Sequence, residues 1–261
     1  MTGADGGLRR DAASRRRARP RVSVIGVIGE VFITAGVVAL LFVAWQLWIG
    51  DLIIGSQNDA IGNSLSQHWA AAGPTKTPTP GDAPTTGATD PGTSNPIGMA
   101  QPADAQVFAV MHIPRFGSDY AVRMAGGVTR PKTLDPIGIG HYPGTAMPGD
   151  IGNMALAAHR TTFGKPFNLI ATLHVGDAIV IETQDGWYTY RFRTLEYVKP
   201  DAIGVLAPVP QQIGVEANGR YLTMTSCSPM YSKAERIVAY SSFESFTPRS
   251  AGAPASLAAV S

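Results

Sequence analysis

The amino-acid sequence predicts an all-β fold, a closed barrel of about eight short strands with one or two short helices, preceded by one N-terminal transmembrane helix. Three observations lead there. A charge-free run of nineteen residues, 31–49, follows a basic leader. Between residues 107 and 246, apolar residues recur at a period of two in short runs separated by turn residues. Only two stretches of that region carry helical patterning, which favours a closed all-β architecture over a layered α/β one.

Taken in order, residues 1–21 hold seven arginines (Arg9, Arg10, Arg15, Arg16, Arg17, Arg19, Arg21) against Asp5 and Asp11, with almost nothing apolar, so this arm is expected to be disordered. At about 1.5 Å per residue the following charge-free run spans roughly 28 Å, the thickness of a hydrocarbon core, and residues 22–50 are read as the anchor. Basic flanks stay cytoplasmic. The expected topology is therefore a single-pass plasma-membrane protein with its N-terminus inside and all that follows outside. A cleaved signal peptide has the same order of parts, but the run is longer than a signal core, and the triplet Ala70-Ala71-Ala72 lies far behind it.

Residues 51–104 read as an extracellular stalk and a Pro/Thr-rich spacer, with Pro74, Pro78, Pro80, Pro84, Pro91 and Pro96 keeping the chain extended. The segment 51–69 is expected to prolong the anchor helix for a few turns before fraying. A folded β-barrel is expected over 105–247. Its strands are read at 107–113, 120–124, 154–158, 178–183, 187–193, 195–198, 221–225 and 236–243, and its helices at 166–173 and, more weakly, 201–206. Asp185-Gly186, between Ile179/Ile181 and Tyr188/Tyr190/Phe192, marks a hairpin. The small, polar tail 248–261 is expected to be disordered.

The net charge is only +2 and its excess sits in the arm, which argues against nucleic-acid binding. One cysteine excludes an intramolecular disulfide and a cysteine-only metal cluster. That cysteine, Cys227, follows the strand-like run Tyr221-Leu222-Thr223-Met224-Thr225 and precedes Ser228-Pro229, so it sits on a rigid element beside an open loop. His159 ends the small apolar strand 154–158, where the chain turns polar. Arg236 opens the last strand. Taken singly, each has a bland reading: a buried thiol, a packed histidine, a solvated rim arginine.

Jointly they form a nucleophile, a base and a permanent cation. With reference pKa values near 8.5 and 6.5, only about 1% of molecules at pH 7 would hold both thiolate and imidazolium, and a neighbouring arginine raises that share or steadies an oxyanion. No two histidines stand at metal-ligand spacing with a carboxylate between them, and no calcium loop is present, so no metal or other cofactor is expected.

The run Leu222-Thr223-Met224-Thr225-Ser226-Cys227, with Arg236 nine residues on, resembles the Thr-Leu-x-Thr-Cys signature and strand-borne arginine of sortases. Gly149-Asp150-Ile151-Gly152-Asn153, leading to Ala157-Ala158-His159, resembles the family's histidine segment. Ser226 stands where the family usually has Thr, and Met224 where it usually has Leu. Gly140-His141-Tyr142-Pro143-Gly144-Thr145 and His159-Arg160-Thr161-Thr162-Phe163-Gly164 most resemble the class E branch.

The resemblance implies a sortase-type cysteine transpeptidase that cuts a Leu-Ala-x-Thr-Gly or Leu-Pro-x-Thr-Gly sorting signal after Thr. Cys227, His159 and Arg236 would be catalytic, with Tyr142, Thr225 and Ser226 against the substrate. Its partners would be secreted proteins carrying the signal and an amine of a peptidoglycan precursor. A cysteine hydrolase of the same signal and a tethered, non-catalytic envelope-binding barrel are the alternatives.

Overall fold

The computed structural model describes residues 23–45, 50–75 and 95–258. The basic arm at 1–21 and most of the Pro/Thr-rich spacer, 76–94, lie outside the described residues. Two units are distinguished, 1–46 and 47–261. The first contains helix α1 (Val24–Ala44), whose apolar side chains are exposed all round. Its 21 residues make it long and apolar enough to cross a membrane. The helix starts upstream of the charge-free run and takes in Glu30 near its N-terminal end.

In the second unit, helix α2 (Gly50–Ala72) precedes eight strands: β1 (Val107–His112), β2 (Val122–Gly126), β3 (Ile139–His141), β4 (Gly152–Ala158), β5 (Ala178–Glu182), β6 (Gly186–Val198), β7 (Arg220–Ser228) and β8 (Glu235–Pro248). They close a barrel in the order β1-β2-β3-β4-β7-β8-β6-β5. Two neighbouring pairs, β2/β3 and β4/β7, run parallel and the others antiparallel. Inward-facing Met111, Met124, Leu156, Ile179, Tyr188 and Met224 fill one continuous core.

The two strands expected at 187–193 and 195–198 are one strand, β6. Its pairing with β8 skips a residue between Phe192 and Thr194. This bulge at Arg193 switches the inward set from Tyr188, Tyr190 and Phe192 to Leu195, which is why the alternation looked broken. Strand β3 was not expected at all. Three residues flanked by Gly138 are too short to show a period.

Three further expectations are corrected. Helix α2 does not fray but packs on β1 and β2, with Trp69 and Leu65 against Val110 and Ala121, so the compact unit takes in this helix upstream of 105. The helix expected over 166–173 is only a 3-10 turn, Ile170–Thr172, and that over 201–206 a 3-10 turn, Ile203–Leu206. Residues 249–258 of the tail are ordered on the barrel as two 3-10 turns, Arg249–Ala251 and Ala255–Leu257. Leu257 of the second turn packs against Ala178, Val180 and Trp187, and the first turn is held by Arg249. Its guanidinium donates to Glu182 Oε1 (2.7 Å) and to the carbonyls of Thr183 and Gln184 (2.6 and 2.9 Å), and lies 4.4 Å over the Trp187 ring.

Candidate active site

The strand register brings the sequence-selected residues to one end of the barrel. In the antiparallel β7/β8 pair, Cys227 is directly opposite Arg236, so both side chains leave the same face of the sheet. In the parallel β4/β7 pair, Ala157 is opposite Thr225. The chain leaving β4 at Ala158 therefore delivers His159 to the edge where Cys227 ends its own strand. A cleft of about 530 Å³ is lined by Cys227, His159 and Arg236, and by Tyr142, Thr225 and Ser226.

Cys227 is half-buried and unpaired. The imidazole of His159 has its Nε2 2.7 Å from Asp135 Oδ1, so Nε2 carries the donated hydrogen and Nδ1 is left for the cleft. The Phe163 ring lies against the imidazole, centroids 5.1 Å apart and planes 30° apart. Asp135 immediately follows a π-helical turn, Arg130–Leu134, and is also 3.4 Å from Arg130 Nε. Nothing in the sequence marks this carboxylate. It sits in the connection between two parallel strands, one of them too short to be read.

Arg236 donates from Nη1 to the carbonyls of Lys233 and Glu235 (3.2 and 2.9 Å), which fix the guanidinium at the start of β8. A second arginine flanks the nucleophile. Arg160, buried, donates from Nη1 to the backbone carbonyl of Cys227 (3.2 Å), while its Nε is buried without a partner. Its only sequence signal is its place beside His159.

The hydroxyls expected to meet substrate are committed to the scaffold. Ser226 donates to Ala158 O (2.8 Å) and Thr225 to Leu156 O (3.0 Å), tying β7 to β4 just below the cleft. Because Thr225 has one hydroxyl hydrogen and spends it on Leu156, the 3.3 Å contact with Tyr142 must run from Tyr142 Oη–H to Thr225 Oγ1. Tyr142 thereby keeps its oxygen lone pairs towards the cleft. The serine at 226, a departure from the family's usual threonine, keeps the one group its position uses. His141, next to Tyr142, is not among the residues lining the cleft. It is buried, hydrogen-bonded to Ala146 O and Thr145 Oγ1, and burial pushes its pKa down.

Among the described residues no three histidine, cysteine or acidic groups are placed to hold a metal. What the cleft offers is a thiol, an imidazole steadied by a carboxylate, and three arginines, Arg130, Arg160 and Arg236, a set suited to acyl transfer through a covalent thioester.

The sortase domain family matches residues 111–244. Sortase SrtE1 of Streptomyces coelicolor is 36% identical over 255 residues, a match covering 94% of this chain and 65% of that protein, so the chain spans just under two thirds of this relative. Sortase SrtE2 of the same organism is 30% identical over 235 residues, 87% of this chain and 84% of that one. The crystal structure of Sortase E1 from Streptomyces coelicolor with a tripeptide in the active site superposes with a TM-score of 0.55 at 39% identity, covering 61% of this chain and all of that one.

Proposed function

The chain belongs to the sortase family, and from that premise we propose that it is a membrane-anchored cysteine transpeptidase acting on C-terminal sorting signals outside the cell. One observation carries the reading. Cys227, His159 and Arg236 line a single cleft, with Cys227 and Arg236 paired across adjacent strands.

In the first half-reaction the Cys227 thiolate attacks the threonine carbonyl of a Leu-Ala-x-Thr-Gly or Leu-Pro-x-Thr-Gly signal, forming the C–S bond. As the C–N bond to glycine breaks, His159 gives its proton to the leaving amine. In the second, an amine of a peptidoglycan precursor attacks the thioester, His159 takes the amine's proton, and the thiolate leaves. Arg236 stabilises the oxyanion of both tetrahedral species or orients the substrate backbone. The tripeptide in the active site of Sortase E1 supports a peptide in the equivalent cleft. Tyr142, whose oxygen is free to accept, contacts the small residue of the signal, and Thr225 and Ser226 shape the floor beneath it. The basic arm keeps the N-terminus cytoplasmic, and the barrel is extracellular.

Mass spectrometry of the full chain with a Leu-Ala-x-Thr-Gly peptide and an oligoglycine amine tests this. The expected result is cleavage after Thr, ligation to the amine, and an acyl adduct on Cys227 when the amine is omitted. A free acid as sole product, even with amine present, would make the protein a hydrolase. No cleavage of this peptide or its Leu-Pro-x-Thr-Gly counterpart by folded protein would favour the envelope-binding barrel.

Asp135 takes part as a positioning residue. Asp135→Asn replaces a charge-assisted bond to His159 Nε2 with a neutral one that also tolerates the other tautomer, so kcat is expected to fall about 10- to 100-fold with little change in KM. Steady-state kinetics beside a melting curve check this. A shift in stability alone would leave Asp135 a structural residue.

A further inference from the structure

The loop leaving β4 is bent in a way its own residues disfavour. Phe163, Gly164 and Lys165 take successive positive φ angles of 54°, 76° and 44°, and two of the three carry a Cβ. Such a run persists only where its surroundings hold it. The barrel supplies part of the hold: Phe167 N–H donates to His159 O (3.1 Å), Asn168 Nδ2 to Arg160 O (2.9 Å), and Tyr120 Oη to Pro166 O (3.0 Å).

Helix α2 supplies the rest. A Cβ placed on Gly164 would lie 2.8 Å from Asn58 Nδ2 and 3.1 Å from Gly55 N, so the turn is pressed directly against the helix. Asn58 is buried there. The helix is itself seated at Gly62, where an added Cβ would overlap the carbonyl of Ala121, and Asp59 Oδ1 accepts the Ala121 N–H (3.1 Å). From the turn, the Phe163 ring reaches the imidazole of His159.

We propose that α2 is a positioning element for the reaction: seated on Ala121 through Gly62, it presses Gly55 and Asn58 against Gly164, holds the left-handed 163–165 turn, and so keeps Phe163 stacked on His159. The stretch between anchor and spacer is then part of the catalytic frame. Its consequence for turnover rests on the transpeptidase reading, whereas its structural core, that α2 sets the surroundings of the imidazole, does not.

The test uses the full chain in detergent micelles, with Gly62→Val to lift the helix and Asn58→Ala to weaken its contact with the turn. Ring-proton resonances of His159, assigned by loss in His159→Asn, report Phe163 stacking directly. Those of His141 report an intact barrel. Both variants are expected to move the His159 resonances away from the ring-current position while His141 stays in place, and Gly62→Val to lower kcat about tenfold with KM within about twofold. Unchanged His159 resonances in both variants would overturn the proposal, whatever the transfer assay gives. Moved resonances in a chain whose wild type transfers nothing would uphold the positioning role and sink the reaction assigned to the site.

Discussion

Cys227→Ala is expected to abolish the thioester adduct and reduce transfer about 10⁴-fold or more, while the barrel melts within a few degrees of wild type. The contrast follows from where the thiol sits. It is half-buried at the end of β7, so truncation removes one sulfur from the cleft wall and opens no cavity in the core, a cost of about 1 kcal/mol or less. The residues holding the strand end, Thr225 and Ser226, keep their bonds to β4. His159→Asn is expected to lose about 10²- to 10⁴-fold, because proton delivery to the leaving amine and proton removal from the incoming one both pass through the imidazole. Adduct mass and melting temperature, measured on the same samples, decide the matter. A Cys227→Ala protein that melts early yet still cleaves would return the residue to a packing role.

The second large effect is on stability and lies away from the cleft. Glu182, almost wholly buried, accepts hydrogen bonds from Ser66 on α2 (2.6 Å), His112 on β1 (2.8 Å) and Arg249 in the tail (2.7 Å). Glu182→Ala leaves Arg249, also buried, without its counter-charge, and about 3–5 kcal/mol of stability should be lost. For a unit of this size that lowers Tm by roughly 10 °C. Burial alone would push the Glu182 pKa up, but the donors from His112, Ser66 and Arg249 outweigh it and hold the carboxyl below its ordinary value of 4.5. A carboxylate depressed in the folded state contributes its stability fully above the unfolded value. That contribution declines as pH falls below about 4.5 and is gone once pH has passed the folded value. Denaturation at pH 7, 5 and 3 should therefore show Glu182→Gln least stable relative to wild type at pH 7, with the gap closing in acid. A gap independent of pH would mean the carboxylate's charge contributes nothing.

Much of the barrel was legible because its strands bury one face, and a half-buried strand writes its period into the sequence. Ile179/Ile181 and Tyr188/Tyr190/Phe192 show it directly. Where the period fails, so does the reading. Strand β3 is three residues long, and the bulge at Arg193 changes the parity of β6. The docking of helix α2, whose helical character was expected in part, is illegible for another reason: its buried residues are Asn58, Gly62 and Trp69, which form no apolar stripe. It docks through an absent side chain at Gly62, side-chain hydrogen bonds and one small apolar contact of Trp69 and Leu65, and these together write no apolar period.

At the site, Cys227, His159 and Arg236 were identifiable because they sit on or beside strands within recognisable motifs. Asp135 was not, since its meeting with His159 depends on the parallel β2/β3 crossing, which only the folded chain reveals. Arg249 was hidden in the same way. A lone arginine in a small, polar tail looks solvated until its partners are seen.

The direct pairing of Cys227 with Arg236 also separates two tasks that enzymes often entangle. Their spacing is inherited from the hydrogen-bond lattice of the sheet, while the turn joining β7 and β8 lends Tyr231, Ser232 and Lys233 to the cleft wall. The strand pairing sets the backbone spacing of the two residues, while the turn also supplies the Lys233 carbonyl that holds the guanidinium. The Cys227–Arg236 pair thus takes its spacing from the sheet, and the turn contributes both cleft wall and the aim of the guanidinium.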